Sequence, residues 1–142
     1  MPIEISNSYK VDGKVYIDEV LGCTNKWSIK NTKSGLYFND DLSKGVYNFN
    51  GETFTDVTSK LGFNTYYNDV STLEKWNAGN FNNSITFYDN LNGDIYFVNK
   101  DKALSYSEKI GQFTSFYNYE ETPLMFNIGD GSFAFKGNKI WK

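Results

Sequence analysis

The sequence predicts an all-β fold of antiparallel hairpins and meanders, laid out in blade-like sheets. Three observations carry that expectation. Apolar and polar residues alternate with period two along most of the chain, and the apolar positions favour β-branched and aromatic types. Short polar breaks separate the alternating runs: "NTKSG", "DDLSKG", "DNLNGD", "NKDK", "GDGS" and "KGN". Their Gly, Asn and Asp residues reach the positive φ that tight hairpins require. Finally, a unit of strand, polar turn closing on Gly, and second strand recurs along the chain.

Taken in order, the predicted strands are "KVYID" (14–18), "GLYFND" (35–40), "GVYNFNG" (45–51), "SITFYD" (84–89), "DIYFVN" (94–99), "LSYSE" (104–108), "FTSFYNY" (113–119), "PLMFNI" (123–128) and "SFAFK" (132–136). Each is rich in Val, Ile, Tyr, Phe or Thr, the residues that fit a pleated, half-buried surface. In the last three, alternation places Phe113, Phe116, Phe126, Phe133 and Phe135 as core.

Residues 58–83 lack clean alternation and read as an irregular insertion or long loop, with a helical turn around Ser71–Trp76. Ser71 or Thr72 would cap that turn, with Glu74 in its first turn.

The recurring unit appears as "VDGKVYI", "TKSGLYF", "NLNGDIYF" and "IGDGSFAF", with its glycines at 13, 35, 93 and 131. Two longer stretches also run parallel, "GLYFNDDLSKGVYNFNGETFTDV" and "DIYFVNKDKALSYSEKIGQFTSF". The spacing is too uneven for a regular solenoid and suits sheets of three or four strands. A partial or complete β-propeller and a stack of sheets both satisfy this pattern. The whole of 1–142 is expected to be one β domain. Open sheet edges predict either an oligomer or a piece of a longer chain, the second favoured by the bare "NKIWK" end.

Composition removes several function classes. All 14 basic residues are Lys; there is no Arg and no His. That excludes a Ser-His-Asp or Cys-His catalytic group, an imidazole metal site and a bidentate guanidinium clamp. A net charge of −3 without a basic block argues against nucleic acid as a partner. No apolar run approaches the roughly 20 residues of a membrane span. "MPIEISNSYK" has neither the basic nor the apolar region of a signal peptide. "NNS" at 82–84 matches a glycosylation acceptor, and without a secretory signal it carries no weight. Cys23 is the sole cysteine, so it reads as a small buried thiol. An AT-rich genome accounts equally well for the wealth of Asn, Lys, Tyr and Phe, though not for their pattern.

The paired acids Asp40–Asp41, Asp89 with Asp94, and Glu120–Glu121 are the route to an enzyme, since glycoside hydrolysis needs two carboxyls across a cleft. Most of them fall at predicted turns, where Asp bonds its own backbone, so no catalytic residue is assigned. "DNLNGDIYF" and "NIGDGSF" resemble calcium loops only loosely: the ligand spacing of an EF-hand fails. No metal or cofactor is therefore expected. Trp76, Trp27 and Trp141 are candidates for a glycan platform, because a flat ring offers an apolar face to sugar C–H groups. Trp76, in the irregular segment, ranks first among them. Tyr117 and Tyr119 are candidates for an interface with a neighbouring subunit.

The segments "GLYFNDDLSKGVYNFNG", "FNTYYND", "KWNAGNF" and "LSYSEKIGQFTSFYNYEETPLMFN" resemble large virion proteins of crAss-like bacteriophages of gut Bacteroidales. The likeness covers roughly 30–142, and its most specific part is the last of those segments. It implies a structural role in the tail, at the distal muzzle, with propeller-like β modules and other virion or tail subunits as partners. It also implies assembly in the bacterial host cytoplasm and a place in the virion. A glycan of the host surface is the alternative partner. The resemblance carries over no catalytic or ligand residue.

Overall fold

Gly35 and Gly93 show how the predicted turns work. Both hold positive φ (124° and 75°) at the first hairpin of a sheet, where a side chain would be strained. A Cβ on Gly35 would run into the Phe49 carbonyl oxygen on the neighbouring strand. The computed structural model describes residues 9–11, 14–16, 21–23, 26–40, 43–68, 84–99, 102–118 and 124–142.

Every strand pairing is antiparallel, and the strands fall into consecutive meanders. A short hairpin joins β1 (Tyr9–Val11) to β2 (Lys14–Tyr16). After a 3₁₀ turn at Lys26–Ser28, the first large sheet runs through β3 (Lys30–Thr32), β4 (Gly35–Asp40), β5 (Gly45–Phe49) and β6 (Phe54–Asp56). The second contains β7 (Ser84–Asp89), β8 (Asp94–Asn99), β9 (Lys102–Ser107) and β10 (Gln112–Asn118). The third has three strands: β11 (Leu124–Ile128), β12 (Gly131–Lys136) and β13 (Lys139–Trp141). The repeat seen in the sequence is thus a structural one. Gly35, Gly93 and Gly131 each open the second strand of a sheet or close the turn before it, and the two parallel stretches are the last three strands of the two four-stranded sheets.

The irregular segment holds two short helices, α1 (Val57–Lys60) and α2 (Asn64–Asn68). Asp56 is the N-cap of α1, its carboxylate accepting the Ser59 N–H at 2.9 Å. Sequence reading expected a loop here and looked for the helix later, at Ser71–Trp76, which lies outside the described residues. The sequence sets no bounds for four strands, β1, β3, β6 and β13, each three residues long, although β6 is the Thr/Phe-rich strand expected in "GETFTDV". Runs that short show no periodicity to read.

The core follows from the pleat. On the second sheet, Ile95, Phe97, Leu104, Tyr106 and Phe113 share one face by register. That face meets Tyr37 and Val46 of the first sheet, Val57 of α1 and the fully buried Tyr67 of α2. The opposite face carries Ile85, Val98 and Ala103, packed with Tyr96 and with Met125 of the third sheet. The second sheet is therefore covered on both sides. Where β6 stops, the Thr58 hydroxyl takes its place beside β5, accepting the Val46 N–H at 2.7 Å. This bond fastens the helical segment over the first core.

Of the five phenylalanines expected in the core only Phe113 packs against a core cluster, half-buried; Phe126 and Phe133 are half-buried on the same side of the last sheet as Phe135, Phe116 is 60% exposed and Phe135 42%. A β-bulge between Phe113 and Ser115 accounts for the spacing of Phe116, because it returns that ring to the face of Phe113 after three residues instead of two. Phe116 also lies on an edge strand, beyond the reach of the first sheet. Phe135 lies on the side of the last sheet that nothing described covers. Cys23 is partly buried, its sulfur 2.8 Å from the Ser28 hydroxyl. Among the described residues no strand pairing closes the sheets into a barrel.

Two substitutions test this layout. Phe97→Ala, at a side chain 2% exposed, is expected to cost about 3–5 kcal/mol in urea unfolding. Leu91→Ala, on a turn and 67% exposed, should stay within about 0.5 kcal/mol of the parent. Gly35→Ala is expected to lower stability by more than about 1 kcal/mol in the same assay, through its φ and the Phe49 carbonyl.

Candidate functional site

The first strands of the three sheets lie side by side, β3 touching β7 and β7 touching β11. Two hydrogen bonds hold the line. The Thr86 hydroxyl on β7 donates to the Ser28 carbonyl, buried, at 2.7 Å. The Asn90 amide, in the turn after β7, donates to the Gly129 carbonyl in the turn after β11, at 3.4 Å. Between these strands opens a cleft of about 650 Å³. Trp27, Ile29 and Lys30 line one side, Ile85, Thr86 and Asn90 the floor, and Met125, Phe126, Asn127 and Phe135 the other side. The buried Asn127 amide has no hydrogen-bond partner among the described residues. Among the described residues Lys30 is the one charged member of the lining.

Among the described candidates, Trp27 belongs to this cleft, on its rim and 48% exposed. Trp141 stands apart on β13, 56% exposed. Tyr117 lies on β10, 38% exposed, its ring 5.6 Å from that of Tyr96. Trp76 and Tyr119 lie outside the described residues. The structure thus brings Trp27 to two phenylalanines and not to Trp141.

Asp89 serves the turn that follows it. The Asp89 carboxylate accepts the Leu91 N–H at 2.9 Å, the Asn92 N–H at 3.4 Å and the Asn92 side-chain amide at 2.6 Å. That leaves it committed to its own hairpin. Asp40 ends β4 almost fully buried, its carboxylate accepting the Ser43 N–H at 3.4 Å. Asp41, Glu120 and Glu121 lie outside the described residues. Among the described residues no group of three acidic or cysteine side chains is placed to hold a metal ion.

A second aromatic surface lies at the far end of the first core. Phe63 and Phe113 have ring centroids 4.4 Å apart, and Phe116 leans on Tyr66 at 5.1 Å. At the near end, the Thr32 hydroxyl donates to the Glu108 carboxylate at 2.9 Å, joining the first sheet to the second. Burial raises the phenol pKa of Tyr37, with the Tyr106 hydroxyl adding to it. Burial raises that of Tyr96 too, with Tyr117 second, and that of Tyr67 in the same way.

Sequence reading missed Phe126, Phe135 and Asn127 as lining residues, and Ile128 and Ile140 as exposed ones. The alternation in "SFAFK" does place Phe133 and Phe135 on one face. It does not tell whether anything covers that face.

The described residues form an aromatic-rich antiparallel β module with apolar side chains exposed on its strands. The comparison with known proteins narrows this. The family model described as "Crassvirus muzzle protein" matches residues 1–138. The chain is 47% identical over 142 residues to the "Muzzle protein" of Bacteroides phage crAss001. This chain therefore belongs to the crassvirus muzzle protein family. The match covers all of this chain and 10% of that relative.

The buried phenols have a consequence for pH. A raised native pKa means that the folded state keeps protons the unfolded chain loses above about pH 10. Stability is fully present below that pH and falls as the pH rises past it. Absorbance at 295 nm should show a set of tyrosines that do not ionise until the protein unfolds. Free titration of all tyrosines in the folded state would contradict the burial of Tyr37, Tyr67 and Tyr96.

Proposed function

We propose that this chain is a non-enzymatic structural module of the crassvirus virion, located in the phage tail, that works by protein–protein contact with other tail subunits. One observation carries the reading: Phe116, Tyr117, Ile128, Phe135, Ile140 and Trp141, apolar side chains left exposed, all lie on strands, the elements by which β modules dock. Membership of the muzzle protein family supports placing it in the virion, assembled in the cytoplasm of the bacterial host. The tenfold greater length of the crAss001 protein supports its being one β module of a longer polypeptide.

The arrangement of the sheets supports a propeller-like reading. Each meander begins with its innermost strand, and those first strands touch in succession, as in neighbouring blades of a propeller. On this reading the cleft at Trp27 faces the axis. The glycan alternative keeps only Trp27 in that cleft, since Trp141 stands elsewhere.

Mass spectrometry of purified phage particles tests the proposal through the tryptic peptide "ALSYSEK" (103–109). It should be present in particles, in a gel band far heavier than the 16.3 kDa of this chain. Its absence from particles would remove the structural reading. A band at the mass of the chain itself would remove the longer polypeptide.

A further inference from the structure

We propose that the edge of β13 is a strand-docking site, and that its occupant is a β-strand with an aromatic side chain, supplied by the longer polypeptide of which this chain is a module. The inference rests on that reading of the chain. The repeat within the fold is its ground. The first two sheets are meanders of four strands, and the third is the same meander with three. Among the described residues, β13 has β12 on one side and no strand on the other. The backbone N–H and C=O groups on that side are placed to receive one.

The two complete sheets show what a fourth strand does. In each it follows the third strand after a link of four residues, 50–53 in the first sheet and 108–111 in the second. In each it sets a phenylalanine opposite an aromatic residue of the third strand: Phe54 pairs with Phe49, and Phe113 with Tyr106. The ring then reaches across to the second strand. Phe54 lies 4.7 Å from Phe49 and 6.2 Å from Phe38. Phe113 lies 5.5 Å from Tyr106 and 6.4 Å from Phe97. In both sheets the second-strand phenylalanine so reached is shut from solvent, Phe38 at 5% exposure and Phe97 at 2%.

The third sheet carries this pattern without that ring. Ile140 of its third strand pairs with Phe135 of its second, and the two are 60% and 42% exposed. Phe126 reaches Phe135 from the β11 side, at 5.3 Å, which puts the missing ring on the β13 side. A strand added there would make main-chain hydrogen bonds to β13 and lay one alternate side chain over Ile140 and Phe135. The occupant belongs to the same polypeptide because both existing fourth strands follow their third strands directly. This chain matches only 10% of the crAss001 relative, so a polypeptide of that length has ample sequence to supply the strand.

Hydrogen exchange tests this on two proteins, the chain itself and the chain lengthened along its natural polypeptide by about fifteen residues, enough for a link and a strand. The amides of β13 should exchange at least about tenfold more slowly in the lengthened protein, with those of β8 unchanged. An extension of the same length in Gly and Ser should leave β13 as it is in the chain alone. No slowing with the natural extension, or equal slowing with the Gly-Ser one, would overturn the proposal. Slowing that appears in the unextended chain as its concentration rises would also overturn it, assigning the edge to a second copy. Should the lengthened protein fail to fold by far-UV circular dichroism, β13 is read in the full polypeptide of phage particles, where fast exchange would contradict the proposal. A band at 16.3 kDa for "ALSYSEK" is a separate failure. It removes the longer polypeptide, whereas unslowed β13 amides in the lengthened protein remove the fourth strand alone.

Discussion

Burial of the β7–β10 sheet on both faces is the interaction on which the other layers depend. Ile95, Phe97 and Leu104 point one way, Val98 and Ala103 the other, all almost completely buried. A two-sided sheet must be apolar at successive positions, and "DIYFVN" is: it alternates between two cores, not between core and water. The first sheet with its helical cap rests on one side, and the three-stranded sheet on the other. Neither outer layer touches a core that the middle sheet does not help to build. Polar bonds then fix the angle of approach. Thr32 with Glu108 and Thr86 with Ser28 join the first layer to the second, and Asn90 joins the second to the third.

The bulge in β10 shows how finely this layering is set. Its extra residue, Thr114, shares a 2.7 Å hydrogen bond with the buried Ser105 hydroxyl, which also accepts the Ser115 N–H at 3.1 Å. A buried serine in the middle strand thus supplies partners that the disrupted ladder cannot. The result carries Phe113 and Phe116 to one side together, where they meet Phe63 and Tyr66.

Much of this was legible in the sequence, because strands of five or more residues announce themselves by alternation and their hairpins by Gly, Asn and Asp. The repeat at Gly35, Gly93 and Gly131 even marked where each sheet begins its first turn. Strands of three residues left a weaker trace: Lys14–Tyr16 falls in the expected "KVYID", whereas Lys30–Thr32 shows no alternation of its own. The helix at Val57–Lys60 had a signal in Asp56, a capping residue three places before Ser59, within a stretch without alternation. Exposure was the harder part. Nothing local separates Phe133 in "SFAFK" from Phe97 in "DIYFVN", since what differs is whether another layer lies opposite. The site was legible only as a class of residue: Trp27 was named, whereas its neighbours Phe126, Asn127 and Phe135 come from a sheet almost a hundred residues away.

Native-state hydrogen exchange measures the central claim directly. If the middle sheet carries the fold, the slowest amides should lie in β8 and β9, around Ile95–Val98 and Ala103–Ser105. The amides of β11–β13 should exchange sooner, by opening that leaves the middle sheet intact. Protection greatest in β11–β13, or uniform across the three sheets, would contradict a structure organised around β7–β10.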